Sequence, residues 1–382
     1  MEVVQDVVIV GAGIAGLTTS LGLHRLGIRS LVLESSDSLR TTGFALAIWT
    51  NAWRALDAIG VGDRLRQQHD SLLGNVVSSR ILGLQLFEMS FKEKGKHGDH
   101  EIRCVRRKLL LEALASELPS GTIRFSSKVV SIEESGYYKL VHLADGTILK
   151  AKVLVGCDGV NSVVAKWLGF KPLVFTGRSA IRVKMFTGSL LGLPPSQEKE
   201  LEKNPPQLKQ YMLTKLGKLP DEVRAVRENT VLDAFISSPL RYRHPWEILW
   251  GNISKGNVCV AGDALHPMTP DIGQGGCAAL EDGIVLARCL GEALLKNWRE
   301  EIREEGEEGK EEFKRIEIGL NKYASERKWR SFDLISTAYV VGVIQEADGK
   351  VMTFLRDKVY SSILSGLLLK KADFDCGKLR SS

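Results

Sequence analysis

VVIVGAGIAG, residues 7–16, decides how the chain folds at its start. Val7-Val8-Ile9-Val10 is the short β-branched run expected of a buried parallel strand, and Gly11-x-Gly13-x-x-Gly16 follows at once. Ile14, Leu17 and Leu21 then keep a helical period up to Gly27, and a second strand, Ser30 to Leu33, ends in Glu34. This is a βαβ unit. Gly11 permits the tight turn, Gly13 lets a pyrophosphate approach the backbone, and Gly16 lets helix and strand pack closely. The helix N-terminus presents free N–H groups and a positive dipole end to the phosphates. Glu34 stands where a carboxylate accepts hydrogen bonds from an adenosine ribose, and its charge disfavours a resident NADP. A glycine-rich turn alone serves ordinary packing equally well; strand, helix and terminal acid together point to a bound dinucleotide.

Outward from this unit, a helix is expected over Trp49 to Ile59 and strands within 73–91, before a polar loop from Lys92 to His100. His97 and His100 raise the question of a metal, but without a third ligand in a Lys/Gly-rich setting a solvated loop is the simpler reading. Arg107 to Leu118 has helical spacing, and strands follow at Thr122 to Phe125, Lys128 to Glu133, Tyr137 to Leu143 and Lys152 to Cys157. The last runs into GCDGVNS, residues 156–162. Asp158-Gly159 is as good a turn as a ligand site; its place at the carboxyl end of a parallel strand favours the ligand. Residues 231–251 show strand-like alternation. Val258-Cys259-Val260-Ala261 leads into GDALHPMTPDIGQGG, residues 262–276, and an apolar helix to Leu295. The charged run from Arg299 to Glu317 reads as a solvated surface.

Composition narrows the classes. At 382 residues, 44% hydrophobic, the chain is long enough for two or more domains, and no apolar run approaches the length of a membrane span. The net charge of +6 is modest and its basic residues are dispersed, which argues against nucleic acid as a partner. Six scattered cysteines without a C-x-x-C pair fit free thiols in a reducing compartment, and the start lacks a signal or transit pattern, so a cytoplasmic location is expected. Tyr360 to Lys370 is an amphipathic helix that either covers an apolar face of the protein or lies on a membrane surface.

Three separated signals, GAGIAG with Glu34, GCDGVNS, and GDALHPMTPDIGQGGCAALEDG, stand in an order that resembles the FAD-dependent aromatic hydroxylases of the p-hydroxybenzoate hydroxylase family. The likeness is greatest to the plant monooxygenase 1 branch, related to 3-hydroxybenzoate 6-hydroxylase and zeaxanthin epoxidase. It implies an α/β, Rossmann-like FAD-binding domain made of residues 1–75, 101–178 and 252–298, an inserted β-containing substrate domain at 76–100 and 179–251, and a helical C-terminal region at 299–382. FAD is the implied resident cofactor. Gly11, Gly13, Ile14, Ala15, Gly16 and Glu34 would meet its adenosine and pyrophosphate, with Asp158 and Gly159, and with Gly262 and Asp263 at the ribityl or pyrophosphate part. Pro267, Gly273, Gln274, Gly275 and Gly276 would line the flavin ring, where a side chain at Gly275 or Gly276 should block approach. Arg40 and Arg107 match cofactor-contacting arginines, with surface salt bridges as the alternative. His266, ahead of Pro267, is read as shaping the backbone rather than as an acid or base, so that no protein side chain is singled out as catalytic.

Only one G-x-G-x-x-G occurs in the chain, so NAD(P)H is expected as a transient reductant. The resemblance implies hydroxylation or epoxidation of an electron-rich small molecule with dioxygen. It weakens after Ser179 to Arg182, where the family continues through more strands while this chain passes almost directly to a polar helical stretch. The substrate domain is therefore expected to be shortened, which would leave flavin binding intact but expose the reaction to water. Uncoupled NAD(P)H oxidation and a non-catalytic flavin-binding role are the alternatives.

Overall fold

The structure, a computed structural model, describes residues 4–40, 45–78, 85–183, 188–191, 204–215, 235–295, 307–346 and 361–379, with isolated positions between 225 and 232. Its centre is a parallel sheet in the order Ile123–Arg124, Leu31–Leu33, Val4–Val10, Ile148–Gly156, Val258–Val260. The strands Val129–Ser135 and Tyr138–Leu143 extend it antiparallel along the first half of Ile148–Gly156. Val7, Val8 and Ile9 are fully buried, as a strand covered on both faces requires. Register pairs Val10 with both Leu33 and Gly156, and Gly156 with Val260, so the strands end level with one another. The loops beginning at Gly11, Cys157 and Ala261 therefore leave the same carboxyl edge side by side, the edge at which open α/β sheets take ligands.

The helix Ile14–Arg25 buries Leu17 and Leu21 completely, each contributing about 2 kcal/mol of apolar burial. It packs against Gly275–Leu295, the helix that follows the glycine-rich segment. The crossing is close because a Cβ on Gly283 would stand only 2.6 Å from Thr18 Cγ2.

A second sheet holds Val174–Val183 between Gly188–Leu191 and Phe235–Tyr242, all antiparallel. The alternation read across 231–251 is only half a strand: Phe235–Tyr242 is extended, but Pro245–Trp250 is a helix. Pro245 is preset for a first helical turn, and Trp246 stacks on Trp250 at 5.6 Å, a helical spacing of four that a strand pattern cannot show. Residues 192–203, where the substrate domain looked shortened, lie outside the described residues. So do residues 299–306 of the charged run and Tyr360.

From Glu307 the chain forms one 40-residue helix to Glu346. Within the charged run the described side chains from 309 to 317 are exposed or half-buried apart from Ile316, a helical surface, and beyond it Leu320, Tyr323, Arg327 and Leu334 are buried against Gly275–Leu295 and its surroundings. The final helix, Ser361–Ala372, buries Leu368, Leu369 and Ala372 and packs on Thr50–Ala58 and Gln85–Ser90, the covering role of the two weighed for it.

Candidate active site

A cleft of about 400 Å³ opens at the carboxyl edge of the parallel sheet, walled by the Gly11–Gly13 loop, Glu34, Arg40, Arg107, the Asp158–Gly159 turn and Asp263. Three stretches of chain that are far apart in sequence meet there. The glycines of the first loop divide into two kinds. A Cβ on Gly11, at φ +102°, would lie 2.4 Å from Cys157 O, and one on Gly16 would lie 2.0 Å from Gly11 O. Both glycines are packing necessities. Gly13 has no protein atom within 4 Å of where its Cβ would be, so its bareness serves whatever enters the cleft. Gly159, at φ +77°, faces open space in the same way. This cradle fits a dinucleotide pyrophosphate on the end of the Ile14–Arg25 helix.

Ile14, Ala15, Gly16 and Gly262 stand behind the cleft rather than on its wall. Gly262, at φ +61°, carries no side chain because a Cβ there would come 2.8 Å from Ala15 Cβ, so the first and third loops interlock. Glu34 is buried and accepts from Ala12 N and Ser36 N, both at 2.9 Å, which ties the end of the second strand to the glycine turn. Arg40 is exposed, 3.9 Å from Glu34 through Nε, and its carbonyl accepts from Arg107 Nη1 at 3.1 Å. Burial lowers the Arg107 pKa, Arg40 adds to the effect, and Asp263 and Glu34 oppose it. The two guanidinium groups thus crowd one end of the cleft, a position that an anionic guest would relieve.

Asp263 reaches solvent on the cleft floor but is walled by protein on most sides, and this enclosure raises its carboxyl pKa against the pull of His266 and Arg107. Asp158 spends its carboxylate locally, accepting from Ser162 Oγ and from Val163 N at 2.7 Å. Its side chain builds the turn that presents Gly159. Burial raises its pKa despite those bonds.

Beyond Asp263 the chain continues to the segment expected around the flavin ring. Pro267 is buried, and its carbonyl accepts from Arg243 N at 3.0 Å. Gly273 adopts φ +62° with Trp49 Nε1 3.3 Å from its Cβ position, and that buried indole N–H has no partner among the described residues. A Cβ on Gly275 would meet only Met268 Cγ at 3.8 Å, and one on Gly276 would make ordinary contacts with Leu46 and Ile14. Protein packing therefore does not demand glycine at 275 or 276. Gln274 turns inward instead, fully buried, accepting from Asn51 Nδ2 at 2.9 Å.

Sequence reasoning passed over the group that holds this segment in place. His266 Nε2 lies 2.7 Å from Asp282 Oδ2, with neither side chain exposed. The same oxygen accepts from Gly262 N at 2.7 Å, and Asp282 Oδ1 accepts from Arg327 Nε at 2.6 Å. Arg327 also reaches Glu281 at 2.8 Å, and Arg330 bonds both oxygens of Glu281. Burial alone would raise Asp282, but His266 and Arg327 outweigh it and hold the carboxyl at about 2. Burial alone would lower His266, but Asp282 outweighs it and raises the imidazole. The sequence signal available was the pair Glu281-Asp282 inside the apolar first half of a helix, since buried acids require partners.

The segment carrying His97 and His100 is solvent-exposed, as expected, but both side chains have protein partners. His97 sits in the turn of the small hairpin of Lys94–Gly95 and Gly98–Asp99 with its Nδ1 3.1 Å from Asp373 Oδ1, and His100, just after the hairpin, has its Nδ1 3.1 Å from Thr50 Oγ1. Asp373 also pairs with Arg54 at 3.2 Å, fastening the C-terminal segment to this hairpin. Among the described residues no cluster of three metal-ligating groups occurs.

A cleft of this form on this sheet belongs to a protein that holds a dinucleotide as resident cofactor. The family description "FAD binding domain" matches residues 4–196 and 222–305, and the chain belongs to the FAD-dependent monooxygenases of this family. It is 56% identical to Monooxygenase 2 of Arabidopsis thaliana, over 98% of each chain, and 34% identical to Monooxygenase 1 of the same plant, over 98% of this chain and 99% of that one. The alignment with Monooxygenase 2 runs over 404 positions against the 382 residues here, so that relative carries residues this chain lacks. In fold the chain is similar to HpxO of Klebsiella pneumoniae complexed with FAD and uric acid, with a TM-score of 0.77, 20% identity and 98% of each chain covered. The protein is thus an α/β flavoenzyme with FAD as its cofactor.

Proposed function

We propose that this monooxygenase uses NAD(P)H and dioxygen to hydroxylate or epoxidise an electron-rich aromatic or isoprenoid small molecule. The observation that carries the reading is the meeting of three loops at one sheet edge, with Gly13 left bare toward the cleft. When bound, FAD supplies the redox chemistry and the activation of oxygen. The chain's own residues bind and orient it. The Gly11–Gly13 turn, the helix end at Ile14 and Arg107 take the phosphates; Glu34 and Arg40 take the adenosine end. Asp158 shapes the turn at Gly159, and Asp263 takes the ribityl or pyrophosphate part. Pro267, Gly273, Gly275, Gly276 and the backbone of Gln274 would form the wall toward the ring, where backbone N–H groups at the start of the Gly275–Leu295 helix would favour negative charge.

NAD(P)H is a visitor in this scheme, since the chain holds a single dinucleotide fingerprint. No helix among the described residues is long and apolar enough to cross a membrane, and a cytoplasmic location belongs to the proposal. A second reading, NAD(P)H oxidation without product hydroxylation, is favoured by the residues that Monooxygenase 2 carries and this chain lacks. One experiment separates the two. Purified protein with FAD is given NADH or NADPH in air with a panel of phenols and isoprenoids, and oxygen uptake, peroxide and oxygenated product are measured together. Product matching NAD(P)H consumption supports the first reading, peroxide alone supports the second, and no NAD(P)H oxidation with any substrate sinks both.

A further inference from the structure

The family match ends at residue 305, yet two of the arginines that brace the cofactor loop come from the helix that begins at Glu307. We propose that Arg327 is a positioning residue for the FAD site, and that the C-terminal helix is a working part of that site rather than a cover over it. The inference deepens the cofactor assignment and rests on the cleft described above being where FAD sits.

The argument runs through one carboxylate. Asp282 Oδ2 accepts simultaneously from Gly262 N and His266 Nε2, which fixes both ends of the turn that carries Asp263. Gly262 is held there at φ +61°, and its neighbour Asp263 lies on the cleft wall. Asp282 stands on a helix in a fully buried setting, so its charge persists only with compensation. Arg327 supplies it through Nε at 2.6 Å, and its Nη2 stands 2.8 Å from Glu281 Oε2. Glu281 in turn accepts from Asn51 Nδ2, and Asn51 donates also to Gln274 Oε1 at 2.9 Å. The Arg327 guanidinium therefore reaches both sides of the cofactor segment: the Gly262–His266 turn through Asp282, which it compensates directly, and Gln274 through Glu281 and Asn51, where it shares Glu281 with Arg330. Phe374 closes the arrangement, its ring 5.2 Å from the Arg327 guanidinium and 4.8 Å from that of Arg330.

Because linkage is reciprocal, FAD binding at the loop must stabilise the helix to the same extent that the helix favours FAD. The test uses both directions. In unmodified apoprotein, hydrogen exchange is followed with and without added FAD; the segment Tyr323–Leu334 is expected to slow at least several-fold along with Gly262–Gly276. In parallel, FAD affinity is measured by flavin fluorescence for two variants. Arg327→Lys keeps a positive charge but cannot span Asp282 and Glu281 together. Leu334→Ala removes an equally buried side chain from the same helix without touching the network. The expected result is a Kd raised at least ten-fold in R327K, with altered visible circular dichroism of the bound flavin, and within two-fold of wild type in L334A. Unchanged exchange over Tyr323–Leu334 while Gly262–Gly276 becomes protected overturns the proposal. So does R327K with wild-type affinity, or L334A weakened as much as R327K. Wild-type protein that takes up no FAD overturns the cofactor assignment and this proposal together.

Discussion

Replacing Gly13 and Gly16 by alanine, one at a time, separates the two jobs that a glycine triplet performs. In Gly13→Ala the new methyl meets no protein atom within 4 Å, and the backbone at φ −81°, ψ −173° suits any residue. Stability should change by about 1 kcal/mol or less, the ordinary difference between glycine and alanine at a helix N-cap. The methyl does enter the space where the pyrophosphate must close on the backbone. Displacing it far enough to lose one charge-assisted hydrogen bond costs about 1.5–3 kcal/mol, a Kd roughly ten- to hundred-fold weaker. Gly16→Ala behaves in the opposite way. Its methyl would lie 2.0 Å from Gly11 O, and Gly11 cannot retreat because Cys157 O stands 2.4 Å from its own Cβ position. Overpacking of that kind costs about 1–3 kcal/mol, or a Tm lowered by roughly 1–4 °C. The assay pairs thermal melts of the apoproteins with FAD titration by flavin fluorescence. A Gly13→Ala protein that binds FAD like wild type would refute the placement of the pyrophosphate, and a Gly16→Ala protein as stable as wild type would refute the packing argument.

Arg178 and Asp271 form a two-pronged ion pair at 3.1 and 3.0 Å with almost no exposure, joining the second sheet to the turn before Gly273. Arg178→Met should cost about 3–5 kcal/mol by stranding Asp271, and the double variant with Asp271→Leu should recover part of that in chemical denaturation; a double variant no better than the single contradicts the pairing. The Asp282 and His266 shifts give a pH window. Asp282, held at about 2, contributes stability that is complete above its unfolded value near 4 and lost as pH falls toward 2. His266, raised, contributes stability that is complete below about 6.5 and lost as pH rises through its folded value. Tm should therefore be highest between about pH 4 and 6.5 as far as this pair is concerned, and His266→Gln should flatten the alkaline limb; an unaltered limb contradicts the assignment. Of the six cysteines only Cys104 is exposed, while burial pushes Cys277 and Cys376 up to about 12, so a disulfide thiol reagent should modify one thiol quickly in the native protein and all six after unfolding.

What the sequence disclosed and what it concealed follow from the range of the forces involved. The βαβ unit was legible because its signals are local: β-branched residues at 7–10, glycines at fixed offsets and an acid after the second strand occupy 28 consecutive positions. The same holds for the meeting of three loops, since each follows a short apolar strand and parallel strands in one sheet must end on a common edge. The helix at Pro245–Trp250 was hidden because six residues with bulky Trp246, Ile248 and Trp250 satisfy a period of two as readily as a helical turn; only the Trp246–Trp250 stack decides. The direction of the Gln274 side chain was hidden, since it bonds Asn51, 223 positions away. No local pattern reports such a partner.

The long-range bonds also explain why cofactor binding and substrate chemistry need not fail together in a chain shorter than its relatives. Every strand whose end forms the cleft lies within residues 4–156 or 258–260, and none belongs to the sheet of Val174–Val183, Gly188–Leu191 and Phe235–Tyr242. The loop after Val260 is braced by Asp282, which Arg327 holds, and the end of the strand before it by the Tyr323 hydroxyl on Val260 O. The second sheet and the residue after it hold the later part of the loop, through Arg178 to Asp271 and Arg243 to the carbonyls of Ala264, Leu265 and Pro267. Both arginines lie on or beside strands that are present. A shortened connection between those strands would leave these braces in place, since every residue that makes them lies outside 192–234, and its consequence would fall on the exclusion of water rather than on the holding of FAD.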